Sequence, residues 1–131
     1  MSLSPLGPSM VPALSLAFPG VRVGNAEHSA PATGITLLYF PECGCAAVDV
    51  RGGSPGTTFT EGLSAACGKS GITLCGGPAY GLEAGCAVAA GLLRSGLASK
   101  QGWSEIALVP TAVVLDYKGR DNSAHPDRAL G

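Results

Sequence analysis

Short apolar runs of two periods organise the chain. Residues 34–40 (Gly-Ile-Thr-Leu-Leu-Tyr-Phe) are rich in branched and aromatic side chains and predict a strand. Residues 19–24 alternate apolar and polar and predict a shorter strand, with loop over 27–34. The turn residues at 41–44 then predict a hairpin from 34–40 into a second strand at 46–50, and Arg-Gly-Gly-Ser-Pro-Gly at 51–56 predicts a sharp change of direction. Residues 60–67 read as a short helix with Thr60 as its N-cap. Residues 72–75 read as a strand, and 79–94 as the long helix, closed by Gly96. The apolar stretch 106–117 predicts a strand that Pro110 puts at an edge, at a bulge, or divides in two. His125-Pro126-Asp127 predicts a helix start.

Strands and helices in this order give an α/β domain. Its most informative segment is Leu74-Cys75-Gly76-Gly77-Pro78-Ala79-Tyr80-Gly81-Leu82-Glu83-Ala84-Gly85, where a strand enters a glycine turn and then a helix of small residues. Glycines there let backbone approach another element or a ligand closely. A phosphate loop is excluded by spelling: no Lys-Ser/Thr follows, and no Gly-x-Gly-x-x-Gly occurs. The small residues of the helix favour close packing.

The length of 131 residues bounds the chain to one domain, read as a flexible leader over 1–17 and an α/β unit over 18–131. Charged residues are 13% and glycines number 20, which implies extensive burial, in an assembly or a longer polypeptide. A net charge of −1 with no basic stretch argues against nucleic acid. The apolar region 72–93 is interrupted by Pro78, Glu83 and glycines, so it reads as a buried helix and no membrane span.

Candidate chemistry is sparse. Five cysteines read as buried free thiols in a reducing cytoplasm. His28 and His125 lack ligand spacing, so no metal is expected, and no cofactor motif is present. Asp49 and Arg51, two apart, read as an ion pair holding the turn at 51–56. Asp116 and Glu83 read equally as shifted carboxyls or as turn and cap residues. Ser64, Ser70, Ser95 and Ser104 have no adjacent base, so no catalytic residue is assigned within the chain.

Five motifs together resemble a known family: Val21-Arg22-Val23-Gly24, Thr33-Gly34-Ile35-Thr36, the run from Ala47 to Gly56, the run from Cys75 to Ala84, and the run from Val109 to Asp116. Their order and spacing over about residues 18–131 resemble the N-terminal part of the DmpA-like aminopeptidases, nearest the nylon-oligomer hydrolase branch. The resemblance implies a partial αββα-type layered fold, shared with ornithine acetyltransferases. It also implies a precursor that cuts itself before a Ser or Thr, which becomes an N-terminal nucleophile whose α-amine acts as base. That nucleophile lies downstream of the matched region, so the chain alone is expected to be inactive. The implied partners are the downstream nucleophile-bearing segment or chain of the same precursor, a small peptide or amide substrate, and further copies in a homo-oligomer. Gly76, Gly77, Tyr80, Gly81 and Leu115 are the implied pocket residues, with Leu115 at a position where the nylon-oligomer branch carries an active-site tyrosine. The family continues as a helix where this chain reaches Gly131, so a truncated open reading frame or a fragment is expected rather than a natural cleavage end. An acyltransferase of the ornithine acetyltransferase type and a non-catalytic assembly module are the competing readings.

Overall fold

The computed structural model describes residues 17–63, 68–101, 104–119 and 121–131. The leader expected over 1–17 lies outside these residues save for Ala17, and so does the 64–67 part of the expected short helix. Among the described residues the fold is mixed α/β, with a five-stranded sheet, a two-stranded one and one α-helix.

The chain opens with β1 (Arg22–Ser29) and β2 (Ala32–Gly44), which pair antiparallel from Arg22↔Tyr39 to Ser29↔Ala32. The reversal is therefore at Ala30-Pro31, whose peptide is cis. This corrects the hairpin expected between 34–40 and 46–50. β2 continues through the turn residues at 41–44, and residues 46–50 form no strand. The flanks of β2 are already taken by β1 and β4, so 46–50 has no free edge to join there. A register shift in the β2–β4 pairing between Tyr39 and Gly44 absorbs Pro41, and Cys43 takes φ 58 beside it.

β3 (Thr57–Thr58) is followed by a 3-10 turn at Glu61–Leu63, which falls in the described part of the short helix expected from Thr60. β4 (Lys69–Gly76) pairs antiparallel with β2 and parallel with β7 (Thr111–Val114). A parallel pair needs a crossover, and α1 (Leu82–Arg94) supplies it after a 3-10 turn at Ala79–Gly81. Between α1 and β7 lie β5 (Ser99–Gln101) and β6 (Ser104–Ile106), a small antiparallel ribbon. Of the long strand expected over 106–117, β7 at 111–114 is the part that joins the main sheet, and it starts just after Pro110, which donates no ladder hydrogen bond. Its carbonyl instead accepts from Thr73 N–H at 2.9 Å. The sheet order is β1-β2-β4-β7-β3.

α1 buries Ala84, Gly85, Ala87, Val88 and Leu92 against the sheet, one stripe at helical spacing. Glu83 in its first turn and Arg94 in its last complement the helix dipole. Gly96 (φ 66) and Leu97 return N–H bonds to Leu93 and Leu92, a Schellman close. The core is Ile35, Cys75, Ala84, Val88, Leu92, Ala107, Val109 and Leu130. The helix expected at 125–127 is instead a turn, in which Ala129 N–H bonds Asp127 Oδ1 at 3.0 Å and Leu130 N–H bonds the Asp127 carbonyl at 3.2 Å.

Among the described residues no helix is long and apolar enough to cross a membrane. The cysteines depart from the expectation of buried free thiols. Cys75 is buried and free, Cys43 and Cys86 are free but reach solvent, and Cys45 is disulfide-bonded. Cys45 is exposed where the chain leaves β2, accessible to a second thiol as a core position is not.

Candidate functional site

β4 and β7 run parallel with Gly76↔Val114 in register, so the glycine turn and Leu115-Asp116 leave the sheet at one edge. The carboxyl edge of parallel strands is where turns and helix N-termini present backbone groups to ligands. Gly76, Gly77, Tyr80, Gly81 and Leu115 therefore lie on the two chain segments that emerge together there.

The turn is tied down from both sides. Asp116 Oδ1 accepts the Gly77 N–H at 2.8 Å, across 39 residues of sequence. Gly77 needs its φ of 88, a left-handed value that side chains disfavour. A Cβ on Gly76 would sit 2.7 Å from Thr33 Oγ1 and 2.8 Å from Asp116 Oδ2, so two polar atoms crowd its α-carbon. A Cβ on Gly81 would collide with the Gly76 carbonyl oxygen. These glycines serve close backbone approach within the chain.

Tyr80 and Leu115 stand apart from that packing, 68% and 71% exposed. Tyr80 faces His125, ring centres 5.7 Å apart and tilted by 51°. Next to them Glu83 meets His125 Nε2 at 3.9 Å and Arg128 Nε at 4.0 Å. The edge thus combines exposed apolar side chains, a fixed carboxylate and a small mixed-charge cluster, an arrangement that can bind but carries no nucleophile with a base. Among the described residues no group of three or more His, Cys, Asp or Glu is placed to hold a metal ion.

Asp49 and Arg51 lie elsewhere. Arg51 donates Nε to Asp49 Oδ2 at 2.7 Å, and both side chains are largely exposed. They border a cleft of about 430 Å³ between the 47–56 loop and the sheet, with Ile72, Thr60, Thr111 and Ala112 in its wall. None of the five pocket residues implied by resemblance lines it. A second hollow of about 180 Å³ lies between β1, β2, α1 and Leu130.

Several polar side chains carry no motif. His28 is 1% exposed, Thr33 and Lys69 are buried, and Lys69 Nζ reaches the Gly62 carbonyl at 2.8 Å. The buried hydroxyls of Thr73 and Thr111 bond each other at 2.5 Å. Their only sequence signal is a polar residue at an inward strand position. Burial pushes the Cys75 thiol up to about 11, partly countered by a hydrogen bond from the Gly85 backbone. It is a packing residue, inert at neutral pH.

No protein-family model matches the chain. Two curated relatives named 6-aminohexanoate-oligomer endohydrolase, from Kocuria sp. and Paenarthrobacter ureafaciens, are each 40% identical over 114 residues, covering 87% of this chain and 30% of their own. An uncharacterized aminopeptidase of Mycobacterium tuberculosis is 36% identical over 110 residues, 74% of this chain and 31% of its own. The chain spans about a third of the length of these relatives, and within that span it belongs with the 6-aminohexanoate-oligomer endohydrolases and the related aminopeptidases as a partial, N-terminal counterpart.

Proposed function

We propose that the chain is the N-terminal, pocket-forming portion of a self-processing amide hydrolase with an N-terminal Ser or Thr nucleophile, acting on small peptides or oligoamides. The observation that supports it most is the meeting of the β4 glycine turn with Leu115-Asp116 at one strand edge, in a chain 40% identical to oligoamide hydrolases. In this reading Tyr80 and Leu115 form the apolar wall of the substrate pocket, and Gly76, Gly77 and Gly81 its backbone floor. Asp49 and Arg51 brace the 51–56 turn and touch no substrate.

The nucleophile comes from the downstream portion of the same precursor. Its hydroxyl attacks the substrate amide carbon while its own α-amine takes the proton. The C–N bond of the tetrahedral intermediate then breaks as the α-ammonium gives that proton to the departing nitrogen, the amine leaves, and water, deprotonated by the α-amine, releases the acyl group as a carboxylic acid and frees the hydroxyl. The docking face for that portion is the side of the sheet away from α1. Strand alternation directs Val23, Leu38, Ile72, Leu74, Ala112 and Val114 there. Val23, Leu74 and Val114 are 45%, 42% and 55% exposed, unusual for large apolar strand residues. A second sheet laid on this face would complete an αββα-type layering. Homo-oligomers of the processed pair and a cytoplasmic location complete the proposal. The free thiols of Cys43, Cys75 and Cys86 favour a reducing compartment, whereas the disulfide at Cys45 runs against it.

The test is amine release from aminoacyl amides and aminohexanoate oligomers. The chain alone is expected to release none, and co-expression with a relative's nucleophile-bearing portion to restore release. Turnover by the chain alone overturns the proposal. Transfer of acyl groups to ornithine faster than to water would move the assignment to an acyltransferase. The apolar open face also favours a second reading, a non-catalytic assembly module, which takes over if the joined pair folds without activity.

A further inference from the structure

Residues 46–50 (Ala-Ala-Val-Asp-Val) carry the composition and alternation of a strand, yet they join no sheet. Among the described residues no hydrogen bond reaches their backbone. The ladder stops before them at Gly44, paired with Lys69, and resumes after them at Gly56, whose carbonyl accepts the Val113 N–H at 2.8 Å. The segment is extended all the same. Arg51 Nη2 lies 2.6 Å from Asp49 Oδ2, two residues away. A strand brings such a pair onto one face, and a helix does not.

The position of the segment matters as much as its shape. Residues 47–51 wall the cleft of about 430 Å³ together with Ile72 and Ala112. Strand alternation directs Ile72 and Ala112 to the sheet face away from α1. The segment therefore stands over that open face. Val48 and Val50 are 43% and 44% exposed, so both have apolar surface left to cover, and they alternate with the charged Asp49 and Arg51.

We propose that residues 46–50 are a strand without its partner, to which an extended segment of the downstream portion adds by main-chain hydrogen bonds, beginning the second layer over the sheet. Backbone N–H and C=O groups are obligatory bonding groups, and a bare strand is a template for another. Strand addition draws affinity from these main-chain bonds and selectivity from alternate side chains. The segment that fits is about five residues long. It sets apolar side chains against Val48 and Val50, and polar ones against Asp49 and Arg51. Length names its source: the chain spans 30% of the endohydrolases it matches, so most of their length lies outside it. The bare strand is independent of the proposed function, whereas the choice of occupant rests on it.

Amide hydrogen exchange tests both. In the purified 131-residue chain, the 47–50 amides are expected to exchange at least about a hundredfold faster than Thr73 N–H, which bonds the Pro110 carbonyl. Co-expressed with a relative's nucleophile-bearing portion, alternate amides of 47–50 should slow at least about tenfold, because successive N–H groups of a strand point to opposite edges. Ala47→Pro and Val48→Pro each delete one N–H, on opposite edges. Neither should move the unfolding midpoint of the chain alone by more than about 3 °C. One of them should weaken assembly at least about tenfold more than the other. Val48→Thr keeps the N–H and should assemble like the unmodified chain.

Amides of 47–50 that stay fast in the assembled pair overturn the proposal. So do slow amides in the monomeric chain, equal losses at the two prolines, or a pair that does not assemble. Protection that appears in the chain alone as it dimerises assigns the strand to a second copy and overturns the occupant. A pair that protects 47–50 but releases no amine leaves the strand standing and removes the hydrolase reading. An active pair with 47–50 unprotected does the reverse.

Discussion

Thr111 occupies the space that a side chain on Gly85 would need. A Cβ built on Gly85 falls on the Thr111 hydroxyl and 2.6 Å from its methyl carbon. The same hydroxyl is hydrogen-bonded to Thr73, so it has no open direction in which to retreat. α1 lies close on the β4–β7 pair because this one helical position carries no side chain.

Gly85→Ala is therefore expected to destabilise, against the helix-propensity gain of about 1 kcal/mol that alanine brings. Overpacking of this kind costs about 1–3 kcal/mol in urea unfolding. Combining it with Thr111→Ala should cost less than the two changes summed, by at least roughly 0.5 kcal/mol. Strict additivity would mean that the two positions do not compete for space.

Gly81 meets backbone rather than a side chain. Its added Cβ would strike the Gly76 carbonyl oxygen, which no rotamer change can move. Gly81→Ala should cost at least about 2 kcal/mol. Gly53 has nothing within 4 Å of its Cβ position, so Gly53→Ala should stay within about 0.5 kcal/mol. Equal effects at the two sites, read by thermal unfolding, would contradict the geometry.

Asp116→Ala removes the acceptor of the Gly77 N–H and is expected to destabilise by about 1–3 kcal/mol. Asp116→Asn keeps a side-chain oxygen and should lose less. Exchange of the Gly77 amide separates the cases: fast in the alanine variant, slower in the asparagine one. A Gly77 amide as slow in Asp116→Ala as in the unmodified chain would show that this bond does not hold the turn.

Cys75 and Cys86 should differ in reactivity. At about pH 8.5 iodoacetamide is expected to modify exposed Cys86 and leave Cys75 intact, since burial holds the Cys75 thiol near 11. The sign for stability follows. An unfolded Cys75 loses its proton near the ordinary thiol value of 9.0, and the folded one only near 11. Between these values the unfolded state binds fewer protons, so stability falls as pH rises through that window. Cys75→Ala should flatten that alkaline slope, and an unaltered slope would assign it to other groups.

Strands and helix were legible where one face of an element is buried, because alternation and 3.6-residue spacing record burial directly. β4, β7 and α1 lie close to where their apolar residues predict them. The first hairpin was misplaced because Pro41 and Gly44 imitate a turn, while the true reversal at Ala30-Pro31 follows polar residues of an exposed edge strand. Long-range polar contacts were not legible at all. Thr73 and Thr111, or His28 and Asp127, are ordinary residues in sequence, and only the register of the sheet and the path of the last residues bring them together. The glycine turn was legible as a place of close approach, but its partner, Asp116, lies across a helix and a ribbon.

The sheet order also sets the sequence of events at synthesis. β3 emerges early, yet its pairing in the sheet is with β7, more than fifty residues later. β4 likewise waits for β7 on one flank while β1 and β2 can join it on the other. A nascent chain would first hold a three-stranded meander with β3 unattached, and only the arrival of 111–114 would insert the strand between them. Distant pairings of this kind form slowly and leave edges bare meanwhile. On a ribosome the early half of this protein is an unfinished template, and its partner for a time is whichever strand reaches it first.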